Sequence, residues 1–235
     1  LVADAVVVPA GDEPLYGETI LRLPRCYQVN DDRRVLPAPA PRAALGLPED
    51  ALVLCNFNQA FKWSAPYLEV WLDALRSCPD AVLWLLDPGV GAREAIVQSA
   101  DRAGVAGRLH WAPRLPAAQH LARLGAADLA LDQLPVASHT TAADALWMAV
   151  PVLTQLGEGF HGRVAASLLQ AVELEHWVAR DFQDYADKLQ ALLQEPGRID
   201  LAGSHLAAQR LRLPLFDTTA FARDWETLLR SLCES

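Results

Sequence analysis

Ser138-His139-Thr140-Thr141, with Asp144 three residues on, follows the run Asp128-Leu129-Ala130-Leu131-Asp132. The run reads as a buried strand that empties into a polar turn, and a helix then begins near Thr140 and continues through Ala142, Ala145, Leu146 and Trp147. A helix start at a strand end gathers unpaired N–H groups and the positive end of the helix dipole, and two hydroxyls and an imidazole add side-chain donors. That equipment suits a diphosphate. A plainer reading stands beside it, in which Thr141 and Asp144 form only a capping box and bind nothing.

Two other clusters could serve the same site. Asn56-Phe57-Asn58-Gln59 ends an apolar run and Lys62 follows three residues later. A lysine there can set its ammonium over a phosphate, with the Gln59 amide donating beside it; alternatively it is a solvated loop lysine. Lys62 and Lys188 stand against eighteen arginines, so a compact donor at this strand end is a choice the chain seldom makes. His120 and Arg123 share a short helix three residues apart, where an imidazole and a guanidinium can stack on or bond to a base, or be ordinary half-buried residues. His161 and Arg163 follow Gly157-Glu158-Gly159-Phe160 and read as a turn entering a helix.

These residues need a scaffold, and the apolar pattern supplies one. Short runs at 51–57, 81–87, 108–111, 128–132 and 150–155 alternate with segments of helical spacing such as Tyr67, Val70, Trp71 and Leu75. Continuous apolar strands separated by amphipathic helices predict a parallel sheet covered on both faces, a doubly wound α/β domain over residues 51–180. Before it, 37–50 carries Pro37, Pro39, Pro41 and Pro48 and reads as a proline-rich linker. Residues 1–36 read as the tail of a preceding domain, with Ala5-Val6-Val7-Val8 strand-like. Beyond Val178 the pattern turns helical: Asp181 caps a helix through Leu193, and Thr218 or Thr219 starts another carrying the stripe Phe221, Trp225, Leu228 and Leu229. Residues 181–235 are thus expected to form a C-terminal helical extension. The chain opens without Met and reads as a piece of something longer.

Composition narrows the function. With 52% hydrophobic residues and a net charge of −9, the chain can bury a core but makes a poor bulk partner for nucleic acid or an anionic membrane, so any anion needs a local site. The four cysteines, at 26, 55, 78 and 233, form no C-x-x-C pair and no metal-ligand spacing with the six histidines, which predicts neither a disulfide framework nor a metal centre. No leader peptide or membrane span is read, and a cytoplasmic location is the default. G-x-G-x-x-G, G-x-x-x-x-G-K-[ST] and G-x-S-x-G are all absent, which removes the main support for dinucleotide, P-loop and serine-hydrolase chemistry.

Phe57-Asn58-Gln59 with Lys62, His120 with Arg123, Ala127 to Asp132, His139-Thr140-Thr141, Asp144, Leu146-Trp147 and Val150-Pro151-Val152 are together closely similar to the family 41 glycosyltransferases, the protein O-GlcNAc transferases. The order agrees, as does the nineteen-residue interval from His120 to His139, and the resemblance runs across most of residues 10–180. It implies a GT-B fold of two Rossmann-like lobes, this chain being the half that holds UDP-GlcNAc. It also implies that Gln59, Lys62 and the His139-Thr140-Thr141 turn hold the diphosphate, His120, Arg123 and the backbone near Leu115 the uracil, and Asp144 the ribose. The implied chemistry is inverting transfer of N-acetylglucosamine to Ser or Thr hydroxyls without a divalent metal, with Lys62 stabilising the departing UDP. The implied partners are a protein acceptor, an N-terminal catalytic lobe and helical repeats upstream. The family's animal members carry a lysine three residues before the histidine aligned with His120, where this chain has Ala117. A UDP-glucose-dependent transferase of the same fold and an inactive nucleotide-binding scaffold are the competing readings.

Overall fold

The computed structural model describes residues 1–233. A pair of two-residue parallel strands, β1 (Val2–Ala3) and β2 (Leu21–Arg22), precedes the main sheet. The alternation then runs β3 (Leu52–Asn56), α1 (Ala65–Ser77), β4 (Ala81–Leu86), α2 (Val90–Ala103), β5 (Leu109–Ala112), α3 (Ala117–Leu124), β6 (Leu129–Leu131), α4 (Thr140–Trp147), β7 (Val152–Gln155), α5 (Phe160–Gln170), β8 (Val178–Ala179). Helices α6 (Phe182–Gln194), α7 (Gly197–Gln209) and α8 (Thr218–Cys233) complete the chain as described.

The six strands from β3 onward form one sheet in the order β5-β4-β3-β6-β7-β8, every neighbouring pair parallel. The chain thus builds outward from β3 in one direction, returns, and builds outward in the other. The switch falls between β3 and β6, and the loops leaving those strands diverge into a crevice at their C-terminal ends. All six residues of β4 are buried, as a strand covered on both faces requires. β8 has two residues, too few to show a period, so the sequence pattern alone reads this stretch as the start of the helical region.

Asp181 caps α6, its carboxylate accepting from the Asp184 N–H at 2.8 Å. Tyr185, Leu189, Leu192 and Leu193 then face the core at helical spacing. In α8 Phe221 and Trp225 stack with centroids 6.2 Å apart, Arg25 pairs with Asp224, and no residue of the helix is fully buried. The last two residues of the expected 181–235 extension lie outside the described residues.

The strand-like reading of Ala5 to Val8 is corrected: only Val2–Ala3 is extended, and Val6 and Val7 turn, donating their N–H groups to the Asp4 carboxylate at 2.9 and 3.0 Å. A short acceptor next to the run competes with sheet pairing. Asp4 also accepts from Ser167 of α5 at 2.6 Å, and Ala3, Val7 and Val8 enter the same core as the main sheet. The proline-rich stretch is likewise packed down. Arg42 reaches the Ala126 carbonyl at 3.0 Å and the Asp128 carboxylate at 2.7 Å, and Pro39 sits where a side chain at Gly125 would collide with it, 3.0 Å from the position of a Cβ. Among the described residues no helix is long and apolar enough to cross a membrane.

Candidate functional site

The crevice is built on a buried polar frame that sequence reasoning did not assign. Asn56, at the end of β3, donates to the Leu131 carbonyl at 2.9 Å and to the Gln133 side chain at 2.5 Å. Its own Oδ1 accepts from the Asn58 N–H at 2.9 Å and the Trp63 indole at 3.1 Å. One side chain therefore joins β3 to β6 and folds the loop that carries Gln59 and Lys62. Asn58 continues the chain of bonds to Ser138 Oγ at 2.6 Å. Ser138 donates from its N–H and hydroxyl to Asp132 at 2.8 and 2.7 Å, and Thr154 of β7 donates to the other Asp132 oxygen at 2.7 Å. All six of these polar side chains, Asn56, Asn58, Asp132, Gln133, Ser138 and Thr154, are buried. Burial raises the affinity of the Asp132 carboxyl for its proton, and the hydrogen bonds from Thr154 and Ser138 oppose that rise.

On this frame the turn after β6 delivers α4. His139 occupies the N-cap position but its side chain does not cap the helix; its Nε2 instead donates to the His161 carbonyl at 3.2 Å. The first backbone bond into the turn comes from Ala143 to the His139 carbonyl. The N–H groups of Thr140, Thr141 and Ala142 therefore have no acceptor among the described residues, and the helix start is open for an anion. The capping box is not formed: the helix starts at Thr140, so Thr141 lies inside its first turn, its N–H makes no bond to Asp144, and Asp144 Oδ1 pairs with Arg34 at 2.6 Å instead.

Lys62 ends a short 3₁₀ turn, Ala60–Lys62, and has no hydrogen-bond or ion-pair partner among the described residues. It lies close enough to His139 for its charge to lower the proton affinity of that imidazole, after the larger effect of burial. Gln59 accepts from Arg114, which ties the loop after β3 to the loop after β5. In that second loop Leu115 is half-buried and neither its N–H nor its C=O is bonded among the described residues. Arg123 is 2% exposed. Its Nε donates to His120 Nδ1 at 3.0 Å, Nη1 bonds the Pro113 carbonyl, and the guanidinium lies 4.7 Å from the Phe57 ring centre. Since a guanidinium only donates, His120 Nδ1 must accept and the ring proton sits on Nε2, available to a ligand carbonyl. Arg123 thus fixes the His120 tautomer from behind, with Nη2 left for any direct contact.

The predicted residues Gln59, Lys62, Leu115, His120, Arg123, His139, Thr140, Thr141 and Asp144 come from three separate strand ends and meet at one end of the sheet. Phe57 and His120 are in edge contact at 5.5 Å, and the Asp144 charge reaches His120. Beside the turn opens a cleft of about 660 Å³ lined by Ser64, Gln155, Gly157, Gly159, His161 and Arg180 among others. Gly157 is required by close approach, as a Cβ there would stand 2.7 Å from the backbone of Gly162. The polar frame was missed because the bonds that tie its strands together span 22 to 80 residues; the available signal was the clustering of Asn, Gln and Asp at the ends of apolar runs.

Burial lowers the proton affinity of both His120 and His139 from the usual 6.5, and Arg123 and Lys62 respectively add to it. Below that value the unfolded chain binds more protons than the folded one, so stability falls as pH drops through 6.5 toward the folded values. The melting temperature should therefore decline between about pH 7 and about pH 5, less steeply in His120→Gln. Equal slopes in thermal scans would remove His120 from the acid response.

A parallel sheet wound in this order, with an open helix start and a partnerless lysine at its switch point, has the architecture of a GT-B glycosyltransferase lobe. The Glycosyl transferase family 41 model matches residues 32–225, and the chain belongs to that family. It is 32% identical over 234 residues to the probable UDP-N-acetylglucosamine–peptide N-acetylglucosaminyltransferase SEC of Arabidopsis thaliana, covering 96% of this chain and 24% of that one. To the UDP-N-acetylglucosamine–peptide N-acetylglucosaminyltransferase of Caenorhabditis elegans it is 32% identical over 196 residues, 80% of this chain and 16% of that one. The chain therefore spans a quarter or less of the length of these relatives. Among solved structures, a lysine-to-methionine mutant of the Thermobaculum terrenum O-GlcNAc transferase superposes with a TM-score of 0.86 at 29% identity, covering 98% of this chain and 44% of that one.

Proposed function

We propose that the protein is an inverting transferase that moves N-acetylglucosamine from UDP-N-acetylglucosamine to Ser or Thr hydroxyls of proteins, and that this chain is its UDP-binding half. The observation that carries the reading is the convergence of the unbonded Thr140, Thr141 and Ala142 amides with a partnerless Lys62 at the sheet switch point. As the acceptor hydroxyl attacks the anomeric carbon and gives up its proton to a base on the acceptor side, the bond to the β-phosphate oxygen breaks and negative charge grows on UDP. Protein donors already in place, Lys62 and the α4 amides, can meet that charge without a divalent metal. The His120 Nε2–H and the unbonded Leu115 backbone suit the two polar edges of uracil, and the free Oδ2 of Asp144 suits a ribose hydroxyl. The acceptor-side groups belong to an N-terminal lobe, with helical repeats upstream, and the reaction is assigned to the cytoplasm.

UDP soaked into crystals should place its diphosphate at the Thr140 amide and its base against His120; a nucleotide bound elsewhere would end the assignment. In calorimetry His120→Ala should weaken UDP binding about tenfold, the cost of one lost hydrogen bond and the contact around it. Unchanged affinity would remove His120 from the base site.

A further inference from the structure

The Arg34–Asp144 ion pair joins two segments 110 residues apart, and one of them is the stretch that leads into the proline-rich segment. This stretch is pinned at both ends. At residues 30–32, Asn30 donates to the Leu215 carbonyl at 3.3 Å, Thr218 donates to the Asn30 carbonyl at 2.9 Å, and the Asp32 N–H donates to Thr218 at 3.2 Å. At the other end the Ala40 N–H bonds the Ala122 carbonyl at 2.8 Å and Arg42 is held by Asp128. Between the two anchors the chain forms a strap from the start of α8 to α3 and β6, and Arg34 is the side chain it sends to α4. The outward Val35 is 76% exposed, so apolar burial does not explain the route.

The pair itself is well enclosed, the two side chains keeping 20% and 18% of their exposure. The Arg34 guanidinium also lies 5.3 Å from the centre of the Trp147 ring, which restricts its sweep. Asp144 stands one turn into α4, near His120 and on the flank of the open helix start. Only its Oδ1 is taken; Oδ2 has no partner among the described residues. A carboxylate clamped at one oxygen and free at the other is oriented for an outside donor, and a half-buried ion pair keeps that orientation better than a fully exposed, screened one.

We propose that Arg34 is a positioning residue of the nucleotide site: through the strap it holds the Asp144 carboxylate in the orientation that accepts the ribose hydroxyls of UDP. The proposal rests on the reading that Asp144 meets the ribose. It makes the strap part of the donor site and gives the ribose contact a second determinant on a separate segment.

The test compares calorimetric affinities for UDP and 2′,3′-dideoxy-UDP in the whole protein and in Arg34→Ala, Arg34→Lys and Asp144→Asn, with melting temperatures for each. The unmodified protein should prefer UDP. Arg34→Ala should weaken UDP about tenfold and leave the dideoxy nucleotide within about twofold, so that the preference collapses as it does in Asp144→Asn. Arg34→Lys keeps the charge without the planar fork and should restore part of the preference. Should Arg34→Ala fold poorly, the Lys variant decides, because an undiminished preference there overturns the proposal. A preference lost in Asp144→Asn but kept in Arg34→Ala, or an equal loss for both nucleotides in Arg34→Ala, overturns the role of Arg34 alone. A preference kept in Asp144→Asn overturns the ribose reading itself.

Discussion

Replacing Lys62 by Met is expected to lower kcat about 10²–10³-fold, the loss typical when one preorganised donor to a developing charge is removed. Binding of the UDP-sugar should fall far less, because in the proposed mechanism the ammonium acts chiefly on charge that appears as the glycosidic bond breaks. The fold should not notice: Lys62 is half-buried and makes no hydrogen bond or ion pair among the described residues, and Met keeps its length and apolar stem. Steady-state kinetics with a fixed acceptor, alongside a melting curve, separate these effects. A near-normal kcat would take Lys62 out of the mechanism, and a lowered melting temperature would give it a structural role that its lack of partners does not predict.

A large effect on stability is expected at a residue that touches no ligand. Asp132→Ala should cost about 2–4 kcal/mol, since it strands the buried Ser138 N–H and deprives two hydroxyls of their acceptor. For a chain of this size that corresponds to a fall of roughly 5–15 °C in Tm. Ser138 Oγ still accepts from Asn58 although its own proton loses its acceptor, and Thr154 Oγ can turn to the Gln155 carbonyl at 3.4 Å, which keeps the cost below that of a fully broken network. Asp132→Asn should recover much of the stability: its oxygen can accept from Ser138, and its amide can donate to Thr154 once that hydroxyl turns. The turn that presents Thr140 hangs from Ser138, so UDP affinity should fall in the Ala variant and recover with Asn. Equal melting temperatures for the Ala variant and the unmodified protein would mean that the frame does not hold the site together.

The sheet and its helices were legible in the sequence. Runs at 51–57, 81–87 and 150–155 appear as Leu52–Asn56, Ala81–Leu86 and Val152–Gln155, because strands covered on both faces must be apolar almost throughout. The Thr140 helix start was legible from the shift to helical spacing, and the Asp181 cap because capping is chemistry between near neighbours. Side chains that meet across the fold could not be read. The Thr141 and Asp144 pair looked as suited to a capping box as to an anion site, and the arginine 110 residues away that engages Asp144 could not be read locally. Arg123 could be read only as a neighbour of His120 on one helix, and its burial against Phe57 is what makes it the group that sets the tautomer. Asn56, Asn58, Asp132 and Ser138 showed only as polar residues clustered at the ends of apolar runs, because the bonds that join them across strands leave no spacing along the chain. The sequence by itself determined the alternation of strands and helices and the residue types at the strand ends, through local propensity and burial. Which of those residues stand open at the crevice and which hold the others in place was decided only when the sheet order set the ends of β3 and β6 side by side.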